Sequence, residues 1–234
     1  MLYWRTMKVS VTTKVFGFFK QYKPQYYRKG ETIIRAHDEP TGVNYIVRGY
    51  VKLYSISPEG QEFTLNIFRP GSYFPIMWAL GGENNHYYYE AVTPTEIRRA
   101  PKKEVLNFIN ENPGVLLELT KRLISGLEGI LIRMEHLILG DAKQKVSSTV
   151  FLLAKRFGEK NGKGKITIRL PITHQGIANL AGISRETTSL EMKRLEREGT
   201  ISKQGRLIIV QRIGKLRPRA VYFSRRRTSK LFLG

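Results

Sequence analysis

Residues 173–201 read THQGIANLAGISRETTSLEMKRLEREGTI, two short helical patterns separated by a glycine turn. In the first, Ile177, Ala178, Leu180 and Ala181 fall at helical spacing, and Gly182 stands where a helix ends in a left-handed residue. Ser184 restarts the helix, because its hydroxyl can accept from the free N–H groups of the next turn. In that second helix Thr187, Leu190 and Leu195 are expected to face inward, and Arg185, Glu186, Thr188, Ser189 and Lys193 to face out. This pattern is a helix-turn-helix, a unit whose second helix enters the DNA major groove by its N-terminal end. There an exposed Arg can pair with guanine and an exposed Glu can accept from cytosine N4.

The flanks extend the unit. KITIRLPIT gives a short strand, Lys165 to Leu170, leading to Thr173 as a helix cap. After Gly199, TISKQGRLIIV gives two strands about a turn at Gln204-Gly205, the wing of a winged helix-turn-helix. Thr173 and His174, at the head of the first helix, join Ser184, Arg185, Glu186, Thr188, Ser189 and Lys193 as the candidate DNA-binding residues. Charge is concentrated in the same half. From Asp141 onward 22 Lys and Arg face 6 Asp and Glu, against 18 and 13 in residues 1–140. A domain this basic gains affinity for any polyanion by counterion release, so charge alone also fits a non-specific, architectural DNA-binding protein.

Composition excludes several classes. The 234-residue chain has no cysteine, which removes disulfides, thiolate nucleophiles and cysteine-ligated metal clusters. His37, His86, His136 and His174 stand singly without metal-ligand spacing, and no P-loop, dinucleotide fingerprint or nucleophile elbow is present. No enzymatic activity, metal or cofactor is expected. Residues 1–19 interleave charge without an apolar core and cleavage site, and no apolar run reaches membrane-spanning length. A cytoplasmic protein is expected.

From Tyr26 to Ala100 short β-rich runs alternate with Gly and Pro turns: ETIIRAH, YIVRGYVKLYSIS, EFTLNIF, YFPIMWAL and YYYEAV. Turn signals at this interval predict an all-β barrel or jelly roll. Helix takes over at Pro101, first in PKKEVLNFINEN. A long helix then runs from Pro113 to about Leu139, with Asn112 expected to cap it. Leu116, Leu119, Leu123, Gly126, Ile130 and Leu137 approach coiled-coil spacing, and Leu127, Leu131, Met134 and Ile138 form a second edge. One edge can pack on the β module and the other on a second copy. Asp141, after Gly140, caps a further helix, Ala142 to Phe157. The segment from Lys215 to Lys230 carries seven basic residues and no acid, and reads either as an arm that touches phosphates or as a solubilising tail.

Taken together, residues 20–212 resemble the Crp/Fnr family of bacterial transcription regulators. ISRETTSLEMKRLEREGTI resembles the family's recognition helix and wing, GETIIRAHDEPTGVNYIVRGYVKLY its cyclic-nucleotide-binding-like β-roll, and LGDAKQKVSSTVFLLAKRFG its hinge and first DNA-domain helix. The resemblance implies an α+β fold in four parts: a β-roll sensor domain over 1–112, a dimerisation helix and hinge over 113–140, a winged helix-turn-helix over 141–212 and a basic tail over 213–234. It further implies a homodimer on double-stranded DNA, with recognition helix 184–195 of each subunit in one half of a near-palindromic site, and RNA polymerase as a further partner. By position Arg185 and Glu186 match the pair that reads a G·C pair, and Ser189 a reading position of the Fnr branch. Leu190 stands where many members carry a base-contacting Arg.

The sensor end departs from the cyclic-AMP-binding pattern. Where those members carry Gly-Glu and, about ten residues on, Arg-Ser, this chain reads Pro75-Ile76 and His86-Tyr87. Neither Ile76 nor a neutral His supplies the ribose acceptor or the phosphate clamp. The two adenine-contacting hydroxyl positions correspond to Ile130 and Leu131. Control by cyclic AMP is therefore not expected. Tyr73, Phe74, Trp78, Tyr87, Tyr88 and Tyr89 form an aromatic group there, which either lines a pocket for an unidentified apolar effector or fills the nucleotide's space.

Overall fold

The computed structural model describes residues 2–82, 84–161 and 164–217, which fall into two units, residues 1–131 and 132–234. In the first, helix α1 (Leu2–Lys20) precedes strands β1 (Pro24–Tyr27), β2 (Thr32–Ile34), β3 (Val43–Arg48), β4 (Val51–Ile56), β5 (Glu62–Phe68) and β6 (Tyr73–Phe74). A short helix α2 (Ile76–Leu80), strands β7 (Tyr88–Ala91) and β8 (Thr95–Ala100), and helices α3 (Lys102–Asn110) and α4 (Pro113–Leu139) complete it, α4 running on into the second unit. The strands pair antiparallel in two four-stranded sheets, ordered β1-β8-β3-β6 and β2-β7-β4-β5.

Alternation along β3 explains how one sheet serves two cores. Ile46 points with Ile97 and Phe74 toward Ile34, Val51, Leu53 and Tyr89 of the opposite sheet, closing the roll. Val43 and Tyr45, on the other face, pack with Val15 and Phe19 of α1, Trp78 of α2, Val105 and Ile109 of α3, and Val115 and Leu119 of α4. The chain crosses from the first sheet to the second at Gly49. Its φ of 88° lies in the left-handed region, and a Cβ there would collide with the carbonyl of Pro94 and the side chain of Thr95.

Several expectations need correction here. YFPIMWAL is a strand only at Tyr73–Phe74; Pro75 ends it, and Ile76–Leu80 turns into helix that buries Trp78 and Ala79. Residues 2–20 form a helix whose Val15 and Phe19 are core. Asn112 does not turn its side chain onto α4: its amide donates back to the Phe108 carbonyl at 2.6 Å. The first edge of α4 packs on the β module less than expected: among the described side chains Val115 and Leu119 are buried, while Leu116, Leu123 and Ile130 of that edge are exposed, as are Leu127, Leu131, Met134 and Ile138 of the second. Among the described residues no helix is long and apolar enough to cross a membrane.

The second unit continues with α5 (Ala142–Phe157), β9 (Gly158–Lys160), β10 (Ile166–Ile168), α6 (His174–Ala181), α7 (Arg185–Arg197), β11 (Ile201–Gln204), β12 (Leu207–Val210) and α8 (Ile213–Leu216). Asp141 and Gln144 exchange side-chain and backbone hydrogen bonds in a capping box that starts α5. The sheet, ordered β11-β12-β10-β9, buries Ile166, Ile168, Ile201, Ile208 and Val210, and α5 contributes Val146, Val150, Leu153 and Phe157. The stretch expected as tail from residue 213 instead opens with helix over Ile213–Leu216, and Leu216 is fully buried. The basic residues Arg219, Arg225, Arg226, Arg227 and Lys230 lie outside the described residues.

Candidate nucleic-acid interface

Local capping builds the reader. The Thr173 hydroxyl accepts from the Gly176 N–H at 3.1 Å and opens α6, whose Ile177, Ala178, Leu180 and Ala181 are buried. Gly182, at φ 62° and ψ 39°, closes it in the left-handed conformation and redirects the chain. The Ser184 hydroxyl then accepts from the Thr187 N–H at 3.1 Å and opens α7. Each cap contributes about 1 kcal/mol by satisfying a helix-end donor.

On α7, Met192 and Leu195 anchor the helix to the core. Ser184, Arg185, Glu186 and Lys193 are exposed, and among the described residues neither Arg185 nor Glu186 has a hydrogen-bond or ion-pair partner.

Two residues exchange the places expected of them. Thr188 faces inward and is completely buried, so it cannot touch a nucleic acid, whereas Leu190 is 66% exposed. At 100° per residue Thr188 shares a face with Met192 and Leu195, and Leu190 shares none with them. The Thr188 hydroxyl has no hydrogen-bond partner within this core. Thr188→Val keeps the shape and removes the stranded hydroxyl, so it should stabilise the unit by about 1 kcal/mol in thermal denaturation while leaving DNA affinity unchanged. A fall in affinity instead would show that the hydroxyl reaches DNA.

Thr173 is exposed with its hydroxyl on the cap, while His174 and Ser189 are half-buried and joined: His174 Nδ1 lies 2.8 Å from Ser189 Oγ. On the other side of the ring, Nε2 lies 3.0 Å from Lys203 Nζ of β11, which also pairs with Glu196 at 2.8 Å. The wing is thereby tied to both helices. Lys203 and Arg206, exposed on the wing, were not among the sequence candidates. The signal for them is two basic residues flanking a turn glycine; the bond to His174, 29 residues away, has no local signature.

Burial, then Lys203, Arg185 and Lys193, push the His174 pKa below the ordinary 6.5, and only Glu196 opposes them. The neutral ring is therefore the folded form at neutral pH. Because the folded pKa is depressed, its stabilising effect is present above pH 6.5 and is lost as pH falls through the folded value. Thermal melts between about pH 5 and 8 should show this loss, and His174→Asn, which cannot titrate, should flatten it.

The sensor-side candidates do not meet around one cavity. Phe74 and Tyr89 stack at 4.9 Å inside the roll, with Phe68 against both, and Tyr87 packs on the same core. Tyr73 and Trp78 belong to the other core, beneath the helices. Tyr88 points away from both and stacks on Tyr54 at 5.2 Å, as alternation along a strand requires. Ile130 and Leu131 lie on the exposed length of α4. An open groove of about 940 Å³ in the first unit, lined by Tyr26 to Glu31, Arg48 and Pro94 to Glu96, includes none of these residues.

The chain matches the cyclic nucleotide-binding domain over residues 24–112 and the Crp-like helix-turn-helix domain over residues 144–219. It is 29% identical over 188 residues to the global nitrogen regulator of Nostoc sp., covering 80% of this chain and 84% of that protein. To the cAMP-activated global transcriptional regulator CRP of Haemophilus influenzae it is 28% identical over 185 residues, with coverage of 79% and 82%. Its fold is similar to that of a CooA mutant from Carboxydothermus hydrogenoformans, with a TM-score of 0.71, 23% identity and coverage of 86% and 88%. FixK2 from Bradyrhizobium japonicum gives a TM-score of 0.70 at 22% identity, covering 83% of this chain and 95% of that one. A cyclic nucleotide-binding domain followed by a Crp-like helix-turn-helix domain, in a chain whose relatives are named as transcriptional regulators, is the domain order of the Crp/Fnr family of transcription regulators.

Proposed function

We propose that this protein binds a near-palindromic DNA site as a homodimer and regulates transcription from it without control by cyclic AMP. The observation that carries the reading is the exposed Arg185–Glu186 pair, without a hydrogen-bond or ion-pair partner among the described residues, on the first turn of a helix capped by Ser184. Arg185 pairs with guanine and Glu186 accepts from the cytosine opposite, while Ser189 adds a second base contact and Lys193 meets phosphate. Thr173 and His174 hold the helix that supports them. RNA polymerase is the further partner of this reading, which the family resemblance supports.

Dimerisation is supported by the row of exposed apolar side chains on α4, from Leu123 through Leu131 to Ile138, which water would otherwise cover. In this reading residues 1–112 form the sensor, 113–140 the dimer helix and hinge, and the reader runs from 141 to Arg217. Phe68, Phe74, Tyr87 and Tyr89 fill the roll, and Pro75-Ile76 and His86-Tyr87 leave cyclic AMP without its phosphate and ribose partners.

Selection of bound fragments from random duplex DNA tests the reading. A symmetric consensus with half-sites one helical turn apart, roughly 34 Å, is the expected result. Equal affinity for unrelated sequences with a steep salt dependence would instead favour the architectural alternative. Adding cyclic AMP should leave the melting temperature unchanged, since a ligand that does not bind cannot stabilise.

A further inference from the structure

The bond network around His174 determines which way a hydrogen bond from Ser189 can run. A lysine ammonium carries only donors, so at 3.0 Å from Lys203 Nζ the imidazole Nε2 must accept. A neutral ring that accepts at Nε2 carries its proton on Nδ1. That Nδ1–H, 2.8 Å from Ser189 Oγ, must then donate to the hydroxyl oxygen. The Ser189 hydroxyl hydrogen is left over. Among the described residues it has no other acceptor, and it sits beside Leu190, whose side chain projects into solvent. Lys203 is itself held by Glu196 at 2.8 Å, so the arrangement spans α6, α7 and the wing.

We infer that His174, locked in one tautomer by Lys203, is a positioning residue that makes Ser189 a hydrogen-bond donor to DNA, so that Ser189 and Leu190 together select a thymine. This inference rests on the reading of α7 as the DNA-recognition helix. A donor requires an acceptor on the base edge, which rules against the amino groups of cytosine N4 and adenine N6. An apolar neighbour favours a methyl group. Thymine alone offers both in the major groove, O4 to accept and C5-methyl to meet Leu190. The depressed His174 pKa agrees, since the relay requires the neutral ring. Without Lys203 the ring is free to move its proton to Nε2 and accept from Ser189, turning the serine into an acceptor and removing the preference.

Two measurements test this. Long-range ¹H–¹⁵N NMR on the full chain without DNA should show His174 with Nδ1 protonated and Nε2 bare; a proton on Nε2 would overturn the inference whether or not DNA binds. The second uses the selected duplex, with the thymine located as the position whose preference relaxes in Ser189→Ala. Replacing it by 5-methylcytosine keeps the methyl and exchanges the acceptor for a donor, and should weaken binding roughly tenfold. Lys203→Met should collapse that ratio toward one, and Lys203→Arg should retain it, because a guanidinium also only donates. Uracil in place of thymine should cost severalfold in the native protein and nothing in Leu190→Ala. If Lys203→Met weakens both duplexes equally and leaves the ratio unchanged, Lys203 is only a phosphate contact and the inference is wrong. Failure to select any consensus would sink the functional reading instead, leaving the NMR result to judge the tautomer.

Discussion

Replacing Arg185 by alanine should lower affinity for the selected site by about 1–3 kcal/mol per half-site and barely change binding to unrelated duplexes. The effect is specific because among the described residues this guanidinium has no hydrogen-bond or ion-pair partner, so its removal breaks no such bond in the folded chain. In a symmetric dimer the two distant losses add, so roughly 2–6 kcal/mol should separate the proteins on the full site. Lys193→Ala makes the contrast. As an exposed phosphate-type contact it should weaken every sequence alike and shallow the salt slope by about one for each subunit. Titrations by fluorescence anisotropy on consensus and scrambled duplexes, at two salt concentrations, separate these outcomes. Equal losses on both duplexes for Arg185→Ala would mean that it reads no base.

A glutamate at Leu127 or Ile130 should abolish dimer formation and, with it, tight binding to the two-fold site. Both residues are more than half exposed on α4. Across a symmetric interface each substitution appears twice, so unpaired carboxylates would be buried at a cost of roughly 3–5 kcal/mol. Light scattering should report twice the 27.0 kDa chain mass for the native protein and the single mass for the variants. Melting of the β-roll should stay in place, because its core is formed by Ile46, Phe74, Tyr89 and Ile97 and does not involve these positions. Variants that remain dimeric would place the interface elsewhere.

What was legible in the sequence was what is decided locally. Thr173, Gly182 and Ser184 act through hydrogen bonds and dihedrals within three residues, so the helix-turn-helix could be placed almost to the residue. The facing of α7 could not. Thr187 and Thr188 are chemically identical neighbours, and an exposed leucine beside a buried hydroxyl inverts the usual pattern, as a surface shaped for a partner does. Strand β8 was hidden by its charges. Arg98 reaches the carbonyls of Lys20 and Tyr22, and Arg99 reaches Asn44, Thr41 and Tyr27, which no spacing rule reveals. The aromatic cluster failed for a related reason: Tyr87, Tyr88 and Tyr89 are adjacent in sequence, and a pleated strand sends neighbours to opposite sides.

The buried Leu216 bears on how the basic segment after Arg217 can be studied. It packs at the end of the reader, beyond the point where the wing hairpin is complete, and helix α8 exists to deliver it. A chain shortened just after Arg217 keeps this plug, so any change in its salt-dependent affinity belongs to the basic residues removed, Arg219, Arg225, Arg226, Arg227 and Lys230. One shortened after Arg212 withdraws the plug together with the charge, and weak binding from a loosened domain would then be mistaken for the loss of an arm.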